Sequence, residues 1–324
     1  MRKRSAIAIL LVLLALAAMA CASEVEEGTA TLPEGIDSAL LPSAELGGYM
    51  YFNTNRTVDI ATERFLTSDL ADVLPAGVPA TLRLRRATIA VSSSPEEFGG
   101  TLEFTGEADA EVAWDLYQSA GVRDEFWGLQ DQTKVHVVRG DTPWAEAVRS
   151  QLESGQLVPF TDHDPVAWNL ITNLPKSDSR PLAVGIMTLE DELIQELASQ
   201  GGIRLFGLNT VFSLIKVDNV AFGAYADSDL TVPASIGDEF FQEAGVGVVF
   251  VSKSGYPGFL VSYLLRSVAN RIGLETIEIG DTNARYRQLD NLHVVLKNRG
   301  SLLYVAVAAS QSDAERLILG ALSD

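Results

Sequence analysis

Residues 292–322 read LHVVLKNRGSLLYVAVAASQSDAERLILGAL, and this stretch decides the fold class. Two runs rich in β-branched and aliphatic residues, Leu292–Lys297 and Leu302–Ala308, flank Asn298-Arg299-Gly300. Glycine after a polar pair supplies the positive φ of a tight hairpin, so the runs are expected to pair antiparallel. From Ser312 to Leu322 the apolar period lengthens to that of an amphipathic helix. The unit is therefore strand, strand, helix. It recurs at about 87–120 and 203–244. Strand–strand–helix order without regular βαβ alternation predicts an α+β fold with mainly antiparallel sheet. The expectation is two lobes with helices packed on one face of each sheet. The tripeptide His-Val-Val also recurs, at His136 and His293, and suggests two related halves.

Further elements follow the same logic. Gly48–Asn53, Ala87–Ser92, Gly100–Thr105, Lys134–Arg139, Leu182–Met187, Val246–Ser252 and Glu275–Ile279 read as strands. Ile203–Lys216 and Asn219–Tyr225 read as a hairpin. Helices are expected at 59–74, 108–120, 142–152, 164–174, 188–199, 234–244 and 258–272. Thr142 is placed as an N-cap, with Pro143 in the first turn and Gly155 beyond the end. Two prolines flank a polar run at 175–181, which marks the boundary between a domain at 46–174 and one at 182–324.

The amino terminus supplies an address. Arg2, Lys3 and Arg4 precede an uninterrupted apolar run from Ala6 to Ala20, and Cys21 follows directly. Basic start, short apolar run and small residues at the junction are the pattern of a secretory signal peptide over 1–20. The run is shorter than the roughly 18–20 residues a spanning helix needs. Cys21 is the only cysteine of the chain. Ala18-Met19-Ala20-Cys21 resembles the lipobox of bacterial lipoproteins, departing from it at Ala18, where leucine is usual. The resemblance covers about 21 residues and leaves the body unassigned. It implies removal of residues 1–20 and acylation of Cys21 by palmitate-type chains. The mature protein would then be lipid-anchored in the cell envelope, on the extracytoplasmic face of a membrane. Two or three acyl chains hold a protein stably where one does not. Residues 21–45, with Pro33, Pro42 and several acids, read as the lipidated end and a flexible tether spanning about 25–30 Å. Leu40-Leu41 is the pair within it with the means to dock locally.

Composition narrows the function. The 324-residue chain is 47% hydrophobic and 21% charged, so it is expected to fold rather than remain disordered. A net charge of −19 excludes nucleic acid as an expected partner, because phosphates need a basic surface. It also keeps the body off anionic headgroups. One cysteine and 3 histidines argue against a cysteine zinc cluster, and neither a metal nor another cofactor is expected.

Candidate chemistry is sparse. Ser213-Leu-Ile-Lys216 and Lys253-Ser254-Gly255 echo a serine–lysine acyl-transfer signature, but Ser213 and Lys216 would point to opposite faces of a strand. Thr161-Asp162-His163-Asp164 sets two carboxylates beside an imidazole, and capping of a helix at Asp164-Pro165 accounts for it better. Among the four tryptophans, Trp114 and Trp144 are expected in the core. Trp127, with Phe126, in the loop DEFWGLQ, is the expected ligand or partner contact. The reading is a non-catalytic lipoprotein that binds an envelope protein or a small ligand. The alternatives are the substrate-binding lipoprotein of an uptake system and an extracytoplasmic hydrolase.

Overall fold

The computed structural model describes residues 36, 39–53, 84–93, 97–119, 126–175, 180–188, 216–226, 246–271, 273–289 and 292–323. The signal segment, Cys21, Ser213 and the expected helices at 59–74, 188–199 and 234–244 lie outside them. The described chain is α+β, with antiparallel pairing in its ladders. Contact density separates it into two units, the first ending at Pro165 and the second beginning at Val166.

The first unit contains β1 (Leu40–Pro42), β2 (Gly48–Asn53), β3 (Leu84–Val91), β4 (Phe98–Phe104), α1 (Glu107–Ser119), β5 (Phe126–Asp131), β6 (Lys134–Arg139), α2 (Pro143–Ser154), β7 (Leu157–Pro159) and α3 (Phe160–His163). Its main sheet runs β2-β3-β4-β6-β5, and β1 pairs separately with β7. Because side chains alternate along a strand, Phe104, Val135 and Leu102 fall on one face. There they meet Ala110, Ala113 and Trp114 of α1. Val138 faces the other way and packs on Ala145, Val148 and Leu152 of α2. Helices thus cover both faces, where the sequence predicted one. The cause is in the strands: Ala87–Ala90 and Phe98–Gly100 are buried in succession, so neither face tolerates water. Local chemistry sets α2. The Thr142 hydroxyl accepts from the Ala145 amide, Pro143 opens the helix, and Gly155 closes it at φ 67°.

The second unit contains α4 (Pro165–Ile171), β8 (Arg180–Thr188), β9 (Val217–Ala226), β10 (Val246–Ser254), α5 (Gly258–Arg271), β11 (Glu275–Ile279), β12 (Thr282–Leu289), β13 (Leu292–Arg299), β14 (Leu302–Ala308) and α6 (Gln311–Leu322). Its sheet runs β8-β9-β10-β14-β13-β12-β11. Val261, Leu265, Val268 and Ala269 of α5 pack on Val294, Leu296, Leu303 and Val305. On the opposite face Leu317 of α6 lies against Gly247. The 298–300 turn forms as expected, with Gly300 at φ 61°. Strand β12, TNARYRQL, carries little apolar signal, since Ala284 is its one buried residue. The pairing of both its neighbours makes it a strand.

Two sequence readings change here. The tether was expected to run through residue 45, but Ala39 and Leu41 are core residues and Leu40–Pro42 is a strand. The two His-Val-Val copies sit on strands of different rank. His136 is on β6, which pairs with the third strand of its sheet, whereas His293 is on β13, one strand further out.

Candidate functional site

The N-terminal strap, residues 39–45, crosses one face of the first unit's sheet and roofs a narrow recess. Its floor is Thr88, Ala90, Gly99, Gly100 and Thr101, Leu152 of α2 forms a wall, and Leu40–Pro42 is the roof. With the strap in place, no space for a bound molecule remains between it and the sheet at these residues.

The floor has an uncommon composition. Register places Tyr51, Thr88, Thr101 and His136 in one row across four strands. All but Thr101 are buried. The Thr101 hydroxyl lies 2.9 Å from His136 Nδ1. Burial, and then the charge of Lys134, hold the His136 imidazole below its ordinary pKa and so keep it neutral. One row further, Arg86 Nε donates to Glu103 at 2.5 Å. Burial works against the Arg86 charge, but the hydrogen bond and field of Glu103 outweigh it and raise its pKa. Arg86 also hydrogen-bonds Tyr51, whose hydroxyl burial pushes above its usual pKa.

The strap is held largely through its main chain. The Phe160 amide donates to the Ala39 carbonyl at 2.8 Å. His163 Nε2 lies 3.2 Å from the Pro42 carbonyl, the Ala44 amide donates to Gln151 Oε1 at 3.2 Å, and Trp144 Nε1 donates to the Glu45 carbonyl at 2.8 Å. A carbonyl needs a donor, so Nε2 carries a hydrogen. The His163 Nδ1 and the Tyr49 hydroxyl are buried without a hydrogen-bond partner among the described residues. Their rings stand 5.3 Å apart. Burial, followed by the charge of Asp164, raises the Tyr49 pKa and leaves its proton in place.

The residues singled out in the sequence take separate places. The segment expected as a loop is β5, and strand alternation sends Trp127 and Phe126 to opposite faces. Trp127 joins the cluster of Val138, Ala145, Val148 and Leu152, against which Trp144, Ala44 of the strap and Leu157 also pack. Phe126 faces Phe98 at 5.8 Å and the Arg139 guanidinium at 5.7 Å. Trp114 stacks on Tyr117 at 5.0 Å. His293 lies 2.8 Å from the Tyr286 hydroxyl, whose pKa burial, then Glu275 and Glu315, raise. The Lys216 ammonium sits 5.4 Å over the Tyr256 ring. Among the described residues no three His, Cys, Asp or Glu side chains converge as metal ligands. The sequence marked Leu40-Leu41 as a pair able to dock but not where it docks, because the surface that receives it leaves a slight signal, the glycines in FGGT.

No protein-family model matches the chain. No curated protein matches it either. Among solved structures, crystal form I of TP0453 aligns over 90% of this chain and 99% of its own, at 10% identity and a TM-score of 0.40. Crystal form III aligns over 89% and 98%, at 9% identity and 0.39. Crystal form IV aligns over 87% and 99%, at 10% identity and 0.41. Likeness this low establishes neither a shared fold nor a shared function.

Proposed function

We propose that the chain is a lipoprotein held on the extracytoplasmic face of a cell membrane by acyl chains on Cys21, and that its body is a non-catalytic binding module. The observation that carries this is a sole cysteine placed directly after a basic start and the apolar run Ala6–Ala20. Among the described residues no helix is long and apolar enough to cross a membrane. An acidic body is repelled by anionic headgroups, which suits a domain presented to a partner rather than laid on lipid. The test is Cys21→Ser in a bacterial host fed labelled palmitate. The expected result is loss of label, loss of membrane attachment and accumulation of unprocessed precursor. Normal processing and membrane retention of the variant would refute the anchor.

We infer also that the body is a two-lobed duplication. Support comes from element order: each unit has a three-strand meander, a helix on one face, and a return of strands onto the meander's third member. A helix on the other face then follows. Gly99 and Gly247 both occupy the second place of that third strand. Each lies against the closing helix, at Val148 and Leu317.

A further inference from the structure

We propose that the first unit carries a binding site for an extended, uncharged strand of another polypeptide, and that residues 39–45 are its resident occupant. This deepens the binding-module reading and rests on it, but not on the lipid anchor. The grip is of the kind used when a strand is added to a protein surface, with main-chain atoms held and alternate side chains pocketed. Four fixed groups, the Phe160 amide, His163, Gln151 and Trp144, engage backbone atoms of Ala39, Pro42, Ala44 and Glu45. The register Leu40↔Pro159, Leu41↔Val158 and Pro42↔Leu157 adds a short ladder to β7. Side-chain selection falls on Ala39, Leu41 and Pro42, which are buried, with Leu41 the largest of them at 0% exposed, while Leu40 is 40% exposed.

The occupant is held in a way that permits exchange. Strands β1 and β7 form a two-stranded sheet of 3 residues each, separate from the main ladder. Such a pair is marginal by itself, and elements of this kind open before the global fold does. The recess beneath is floored partly by Gly99 and Gly100, which offer the strap backbone and no side chain. At its side the Tyr49 hydroxyl and His163 Nδ1 are buried and without a hydrogen-bond partner among the described residues. A competing strand that offers them a polar partner would gain what the strap does not supply. The net charge of −19 disfavours acidic competitors, which leaves a segment of small and aliphatic residues with leucine at the deep position.

The experiment uses the full chain with Leu41→Asp, which changes the strap and none of the groups that hold it. The probe is a fluorescein-labelled peptide of sequence ALLPSAQL, residues 39–46 with glutamine in place of Glu45 so that its side chains carry no charge, followed by anisotropy. It is expected to bind the variant saturably, and to bind the unaltered chain more weakly by the reciprocal of the fraction of time its own strap is off. That is about 100-fold for a strap free ~1% of the time. A peptide with aspartate at the deep position should not bind, and Gln151→Ala in the variant should weaken binding. No saturable binding to a variant that keeps its circular dichroism would overturn the proposal. So would a small polar ligand that stabilises the variant when the peptide does not. If Leu41→Asp fails to fold, hydrogen exchange on the unaltered chain decides. Strap amides exchanging well before those of β4 and β6 support the site, and exchange only with global unfolding overturns it.

Discussion

The two units share an order of elements and differ in what they bury. Aligning the second-place glycines sets Thr101 beside Val249 and Glu103 beside Val251. Carrying the register across gives the row Tyr51, Thr88, Thr101 and His136 in the first unit. The second unit has Val184, Gly223, Val249 and Ala306. Arg86 in turn matches Ala221. The second unit fills this row with residues that need only close packing. The first fills it with hydroxyls and an imidazole and sets an ion pair one row further, and burying these groups costs free energy unless each is partnered. Among the described residues, the first unit also lays a strap across the face that carries this row. Polar burial and a covering strand at one place, with an apolar counterpart on the same topology, mark where the chain departs from what stability alone requires.

The ion pair offers the largest test of that contrast. Glu103→Gln removes the carboxylate that Arg86 pairs with, and the expected loss is about 3 kcal/mol, read from urea unfolding. Introducing the second unit's pattern at both places, Arg86→Ala with Glu103→Val, should recover much of it, because an apolar pair leaves no buried charge. A double variant worse than the single one would break the comparison.

The glycines test whether the closing helices seat alike. A Cβ at Gly99 would come within 2.7 Å of Val148, and one at Gly247 would collide with Leu317. Gly99→Val and Gly247→Val are each expected to cost about 1–3 kcal/mol by overpacking. A neutral result at one site and a cost at the other would show that the two helices sit differently.

The smallest expected effect is on pH dependence. Folding holds His136 below its ordinary pKa, so the unfolded chain takes up a proton there more readily. This contribution to stability is full above about pH 6.5, the unfolded value, and is lost as pH falls through the folded value. Unfolding measured at pH 7 and pH 5 should show the loss, and His136→Gln should flatten it. An unchanged slope in the variant would remove His136 from the account.

Legibility in the sequence followed the range of the interactions involved. Helix α2 was readable at both ends because Thr142, Pro143 and Gly155 act within one turn of their own positions. The β13–β14 hairpin was readable because its turn chemistry is local. Strand β12 was not, since its residues are polar and only neighbouring strands hold it extended. Trp127 read as a loop residue because Gly128 suggests a break, yet a Cβ there would strike the Tyr117 ring, so close helix packing explains that glycine instead. The same holds at the candidate site: Leu41, Gln151, His163 and Thr101 lie far apart along the chain, and no spacing connects them.

By itself, then, the sequence determined the α+β class, the antiparallel pairing and the local caps, because periodicity and turn stereochemistry act over a few residues. The same short-range reading supplies the expectation of an anchor at Cys21. Tertiary structure alone decided that helices cover both faces of each sheet. It alone also set the polar row in register and docked residues 39–45 onto the body. Those outcomes depend on which apolar surfaces and which unpaired backbone groups meet across long sequence separations, and folding resolves them only when the whole unit assembles.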